Sequence, residues 1–173
     1  MARTRDRIFA IVVVVAFTVT TLGISFGVIW QMYQDSKQED TTVQPQNANA
    51  LQGTKLKDFT PVAQVDKLEI TDPQPGTGTE VKAGDMVTVD YTGAVAATGV
   101  IFQSSLDTGQ PATLSLGQVI KGWQEGIPGM KVGGKRRIVI PAADAYGANP
   151  PQGSGIPANA PLVFDITLHN IGK

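Results

Sequence analysis

Residues 119–141 read VIKGWQEGIPGMKVGGKRRIVIP, and two different periodicities meet inside this one stretch. Ile120, Trp123 and Ile127 recur at i, i+3 and i+7, the spacing that lines one face of a helix, and Pro128-Gly129 ends it. After the Gly133-Gly134 turn, Lys135–Ile140 (KRRIVI) reads as a strand closed by Pro141. A helix of about two turns is not stable alone in water, so it must lie against the strands that follow and precede it. A short helix completing the core of a sheet is an α+β arrangement.

Further strands appear on either side of this stretch. Leu68 and Ile70 alternate with Lys67 and Glu69, and Val87, Val89 and Tyr91 alternate with Thr88, Asp90 and Thr92. Near the end, Leu162, Phe164, Ile166 and Leu168 alternate with Asp165, Thr167 and His169. Alternation of this kind marks strands with one face buried. Gly76-Thr77-Gly78 reads as a hairpin turn and Ala97-Thr98-Gly99 as another. Connections this short favour an antiparallel sheet. There is no internal repeat.

Composition removes several classes of function. The chain has 173 residues with 14 Lys+Arg against 15 Asp+Glu, so it lacks the basic excess of a dedicated nucleic-acid binder, and no nucleic-acid partner is expected. With 17% charged residues and 42% hydrophobic ones it is not an acidic disordered protein either. It has no Cys, which excludes a disulfide framework, a thiol nucleophile and a thiolate zinc site. Its single His leaves little for a histidine metal cluster or a Ser-His-Asp triad. Neither a metal nor a cofactor is expected.

The apolar residues concentrate at the start. From Ile8 to Trp30 the chain runs through 23 uncharged residues, which as a helix would extend about 34 Å against a hydrocarbon core of about 30 Å. The β-branched run Ile11–Val15 would favour a strand in water, but in lipid an isolated strand leaves its backbone groups unpaired, so a helix is expected. Arg3, Arg5 and Arg7 precede the span, while Asp35, Glu39 and Asp40 follow it, which by the positive-inside rule places the N-terminus in the cytoplasm. The rival reading is a cleaved signal peptide. Such peptides carry a core of only about 7–15 apolar residues ending near an A-x-A site, whereas the nearest such triplet here, Ala48-Asn49-Ala50, lies far beyond Trp30. The chain therefore divides into a cytoplasmic tail (1–7), a single transmembrane signal anchor (8–30), a Gln-, Asn- and Thr-rich flexible linker (31–52) and an extracytoplasmic domain (53–173). Within the last, Gly53–Val65 lies ahead of the clear strand signals.

Conventional catalytic machinery is hard to find in that domain. Gly76-Thr77-Gly78 begins a G-x-G-x-x-G pattern, but position 81 is Val and the context is a loop between strands, which argues against a phosphate cradle. His169 has the parity opposite to Leu162, Phe164, Ile166 and Leu168 and is expected to face solvent. Within an alternating strand, Lys135-Arg136-Arg137 reads as solvated or stem-packed charges. Asp107, Asp144 and Asp165 lie singly on different elements and make no carboxylate pair. What remains is a set of aromatic and apolar residues: Tyr91 in VTVDYTG, Phe102 in GVIFQSS, Val119, Ile120 and Trp123 in GQVIKGWQEG, Tyr146 in DAYGA, Ile156 in GIP and Phe164 in LVFDITL. Singly, each would be read as core packing.

In this order, these motifs resemble the FKBP-type peptidyl-prolyl cis-trans isomerases. The resemblance covers residues 67–173 and is carried chiefly by VIKGWQEGIPGMKVGGKRRIVIP, AYGA and GIP followed by LVFD. It implies a five- or six-stranded antiparallel sheet wrapped around the short helix, with a pocket between them that accepts a proline ring. By the same resemblance, Trp123 forms the pocket floor and Tyr91, Phe102, Val119, Ile120, Ile156 and Phe164 its walls. The backbone N–H of Ile120 and the hydroxyl of Tyr146 would donate to carbonyls of a bound peptide. Tyr91, Phe102, Ile120, Trp123, Tyr146 and Phe164 are thus the expected catalytic set. Gln103 stands at the rim where the family usually has Asp, replacing a charged acceptor with a neutral amide. The expected partners are proline-containing polypeptides, the macrolide inhibitors of the family, and the membrane through residues 8–30. The expected activity is isomerisation of X–Pro bonds to assist the folding of exported proteins; the alternative is a noncatalytic proline-peptide-binding or chaperone module at the cell surface.

Overall fold

The computed structural model describes residues 50–172, which belong to one compact unit. The expected tail, the span at 8–30 and the linker up to residue 49 lie outside the described residues. Among the described residues no helix is long and apolar enough to cross a membrane.

Six strands form a single antiparallel sheet: β1 (Glu69–Gln74), β2 (Met86–Val95), β3 (Ile101–Ser104), β4 (Ala112–Ser115), β5 (Lys135–Ile140) and β6 (Leu162–Gly172). Their spatial order is β1-β5-β6-β2-β3, with β4 also on β2. The long strands β2 and β6 pair along nearly their whole length, from Met86 opposite Gly172 to Val95 opposite Leu162. The other edge of β2 is shared. β3 pairs with Thr92, Gly93 and Ala94, whereas β4 pairs with Met86–Val89. Between these two short strands the chain leaves the sheet in a 3-10 turn, Ser105–Asp107, started by the Ser104 hydroxyl accepting from the Leu106 N–H at 3.3 Å. That turn lies beside Tyr91, whose N–H donates to the Ser105 hydroxyl at 3.0 Å.

The helix α1 (Lys121–Gly126) lies on one face of this sheet, with Ile120 and Ile127 as its caps. Its apolar face is the one expected: Trp123 and Ile127 are buried with Val87, Val89, Ile138, Ile140, Leu162, Phe164, Ile166 and Leu168 in the main core. The parities of β2, β5 and β6 all turn the same way, because each alternates against the same helix-covered face. A smaller cluster occupies the opposite face, where Leu56, Ala94, Ala96, Ile101 and Val163 pack with Leu51, Phe59 and Val139.

Several local readings change in three dimensions. β1 was expected to be half-buried through Leu68 and Ile70, but all six of its residues are exposed and Ile70 is 46% exposed; only Leu68, just ahead of it, touches the core. β1 is an edge strand paired to β5 alone, so alternation there has little to bury against. Gly76-Thr77-Gly78 is not a hairpin turn, since β1 and β2 are separated in the sheet by β5 and β6. It belongs to a crossing connection pressed against the loop before β5, where a Cβ on Gly76 would stand 2.6 Å from the Gly134 nitrogen. Among the described residues, contacts with the sheet begin ahead of Gly53. Both carboxylate oxygens of Asp107 accept backbone N–H groups, from Leu51 at 2.7 Å and Gln52 at 3.1 Å, and Lys55 bridges to Val100. Arg136, read as solvated or stem-packed, is buried. Its guanidinium pairs with Asp72 on β1 through two bonds of 2.6 and 2.8 Å and donates to the carbonyls of Gly126 and Pro128 at the end of α1.

Candidate active site

Four aromatic rings from four elements, α1, β2, β3 and β6, meet on the sheet face that carries α1. Trp123 stands on the first turn of the helix and is buried, its ring edge-to-face with Tyr91 of β2 (centroids 5.7 Å apart, 87°) and with Phe164 of β6 (5.4 Å, 88°). Phe164 in turn meets Phe102 of β3 at 5.8 Å and 86°. In each pair one ring thus presents its positive edge to the other's face, a geometry that contributes about 0.5–1.5 kcal/mol per pair beyond area burial. Perpendicular rings also fix one another's orientation.

One small residue makes this arrangement fit. Gly93 on β2 sits under two of the rings, and a Cβ there would come within 2.7 Å of both Phe102 Cζ and Phe164 Cε1. The sequence offers only a weak signal for it, a glycine within a strand, which often marks a close approach.

Above Trp123 the rings enclose an open pocket of about 270 Å³ lined by Tyr91, Phe102, Gln103, Leu114, Gln118, Val119, Ile120, Trp123, Tyr146 and Phe164. All the sequence-derived site residues but Ile156 are therefore brought together. Ile156 is buried and lines an adjoining cleft of about 350 Å³, which shares Phe102, Gln103 and Tyr146 with the pocket. Leu114, in the segment 111–114 where the family often has an aromatic, and Gln118 complete the lining; nothing in the sequence marks Gln118, because the turn after β4 carries no aromatic or ionisable group.

Polar groups are few and lie at the rim. Burial pushes the Tyr91 phenol above its usual value, with the nearby Tyr146 as a second cause, so Tyr91 stays neutral at physiological pH. Among the described residues the N–H of Ile120 has no backbone acceptor, while its carbonyl accepts from Trp123 at 2.9 Å and Gln124 at 3.2 Å. The Gln124 side chain donates back to the Val119 carbonyl at 2.8 Å, which holds the approach to the helix in place. On the far side, Asp144 pairs with Lys121 at 2.8 Å, tying the 3-10 turn ahead of Tyr146 to the start of α1.

No ionised side chain lines the pocket. Among the described residues no group of three His, Cys, Asp or Glu side chains converges to hold a metal. A larger cleft of about 510 Å³ lies elsewhere along β2, β5 and β6, but its Arg137 and Asp165 are already paired at 2.6 Å and it contains no aromatic cage. The smaller pocket is the better candidate on chemistry, being apolar with a few convergent polar groups. His169, the one histidine, is exposed and bonded to Asp90 at 2.7 Å, away from the pocket lining.

Comparison with known proteins gives a consistent answer. A family model described as FKBP-type peptidyl-prolyl cis-trans isomerase matches residues 77–169. An FK506-binding protein of Neisseria meningitidis serogroup B is 50% identical over 103 residues, covering 58% of this chain and 93% of the relative. A probable FK506-binding protein of Corynebacterium glutamicum is 49% identical over 102 residues, covering 58% of this chain and 84% of the relative. The crystal structure of a peptidyl-prolyl cis-trans isomerase from Pseudomonas syringae superposes with a TM-score of 0.56 at 36% identity, covering 65% of this chain and 80% of that one.

Proposed function

This chain belongs to the FKBP-type peptidyl-prolyl cis-trans isomerases, and from that premise we propose that it isomerises X–Pro bonds in the pocket above Trp123 and does so outside the cell membrane, tethered by residues 8–30. The observation that carries the site is the cage of perpendicular rings around an open pocket of about 270 Å³.

X–Pro rotation breaks no covalent bond; it must twist a partial double bond over a barrier of about 18–20 kcal/mol. Resonance puts negative charge on the amide oxygen of the planar form, and water stabilises that form. A pocket walled by Tyr91, Phe102, Trp123 and Phe164 removes the water and fits the twisted amide. About 4 kcal/mol of such differential stabilisation corresponds to roughly a thousandfold in rate. The Ile120 N–H and the Tyr146 hydroxyl, both of residues in the lining, donate to the carbonyls flanking the proline and hold the chain while the bond turns. No acid or base is needed.

The substrates are proline-containing segments of exported proteins, whose folding waits on isomerisation for about 10–100 s. Macrolides of the kind that name its relatives would compete for the same ring cage. The anchor reading is supported by the length of the apolar run and by the arginines before it. A protease-coupled or NMR exchange assay on the full chain tests the activity: acceleration of a short Ala-Pro peptide is expected. Saturable binding without acceleration would favour a noncatalytic proline-binding module, a reading that the neutral Gln103 at the rim favours.

A further inference from the structure

The cleft beside the ring cage is built partly by a residue that lies outside the family-matched region 77–169. Gln52 lines it together with Phe102, Gln103, Tyr146 and the loop carrying Gln152, Ser154 and Ile156. Gln52 is held there by its backbone. The Asp107 carboxylate accepts the N–H groups of Leu51 and Gln52, and the next N–H, of Gly53, donates to the Ile101 carbonyl at 2.8 Å, one residue before Phe102. The N-terminal segment is thereby stitched to the start of β3 and to the 3-10 turn that follows it, which keeps the exposed Gln52 in the lining of the cleft.

The chemistry of the lining is uniform. Gln52, Gln103 and Gln152 are exposed at the rim, Ile156 is buried beneath, and the lining has no ionised side chain. The Ser154 hydroxyl is occupied, donating to the Pro151 carbonyl at 2.7 Å and accepting from the Ile156 N–H at 3.3 Å, so it holds the loop and leaves the primary amides, together with the Tyr146 hydroxyl shared with the proline pocket, as the side-chain hydrogen-bonding groups of the lining. Amides both donate and accept. A substrate carboxylate or ammonium entering here would lose water and meet no counter-charge, whereas an amide or hydroxyl side chain would find matching partners. The cleft shares Phe102, Gln103 and Tyr146 with the proline pocket, so it is reached by the side chain next to proline on the Tyr146 side.

We propose that Gln52, with Gln152 of the same cleft, is a specificity-determining residue that selects proline substrates bearing an uncharged hydrogen-bonding side chain next to the proline. The inference rests on the pocket assignment above and refines its substrate class.

The test is kcat/KM of the full chain on paired peptide series, Xaa-Pro and Pro-Xaa, with Xaa as Gln, Ser, Ala, Leu, Glu or Lys. In one of the two series Gln is expected to exceed Leu by about fivefold, the value of one neutral hydrogen bond, and to exceed Glu and Lys by more. In Gln52→Ala and in Gln52→Ala/Gln152→Ala the Gln-to-Leu ratio should fall towards one. A ratio unchanged by these substitutions, or a preference for Leu or for a charged residue in both series, overturns the proposal. Turnover of the Ala peptides reports the isomerase pocket separately. Were all turnover absent, that reading would fail, and the same ratios taken from peptide dissociation constants by NMR titration would still decide for or against Gln52.

Discussion

In the proposed reading Trp123, buried in the pocket lining, is the floor and Gln103, exposed in the same lining, the rim, with different physical duties. Trp123 is buried and touches both Tyr91 and Phe164 edge-to-face, so its shape sets the surface on which a proline ring would rest. Trp123→Leu keeps much of the apolar burial and changes that surface; activity should fall by more than tenfold while unfolding free energy drops by about 1–3 kcal/mol, as read by peptide isomerisation against urea denaturation. Equal proportional losses, or full activity, would make Trp123 an ordinary core residue. Gln103 lies at the exposed edge of the same pocket. Gln103→Asp adds one charge-assisted acceptor and should tighten macrolide or proline-peptide binding by about 1–3 kcal/mol at most, with much less change in turnover. Calorimetry beside the isomerisation assay separates the two. An inactive parent rescued by Gln103→Asp over orders of magnitude would mean that the rim charge takes part in bond rotation, against the desolvation mechanism.

Among the elements, α1 is the one that local propensity supports least. It has six residues, two of them glycine, and none of its caps is a side-chain hydrogen bond. What holds its end is Arg136 of β5, which donates to the Gly126 and Pro128 carbonyls and is itself oriented by Asp72. The Arg136 guanidinium beside Asp72 holds that carboxyl below its usual value, chiefly through the hydrogen bond between them. A depressed folded-state value means that the unfolded chain binds the proton more readily. The pair's contribution is therefore complete above the usual carboxylate range and is lost as pH falls from about 4 through the folded value. Asp72 is 41% exposed, so solvent screening keeps the effect small. Asp72→Asn should lower stability at pH 7 and flatten the loss of stability below about pH 4, measured as urea midpoints across pH. An unaltered acid profile would remove Asp72 as the group that orients Arg136.

On the scale of the whole molecule, the segment from Leu51 to Phe59 covers the sheet face opposite α1, burying Leu56 against Ala94, Ala96, Ile101 and Val163. The isomerase domain therefore reaches back beyond the family-matched residues towards the apolar run at 8–30. If that run anchors the chain with Arg3, Arg5 and Arg7 inside, protease added to intact cells should remove the domain and spare a small N-terminal fragment. Protection of the entire chain in sealed cells would reverse the orientation. Recovery of a soluble mature protein lacking Ile8–Trp30 would replace the anchor with a cleaved signal.

The sequence by itself determined the elements whose cues are local. The faces of β2 and β6 follow from two-residue alternation, the apolar side of α1 from the spacing of Ile120, Trp123 and Ile127, and the family resemblance carried by the aromatic motifs in their order named most of the residues that line the pocket. Tertiary structure alone decided what depends on groups arriving from far along the chain. Arg136 is buried because Asp72, 64 residues away, and the end of α1 supply acceptors for it. Val163 is buried on the outer face because Leu56 crosses over it, and Gly93 is required because two phenyl rings from other strands close on it. Ile156 belongs to the neighbouring cleft because its loop forms that cleft's lining together with Phe102, Gln103 and Gln52, which come from distant parts of the chain. Periodicity reports which side of an element is apolar; it carries no information about the distance at which a remote side chain will arrive, and burial, pairing and close contact are set by that distance.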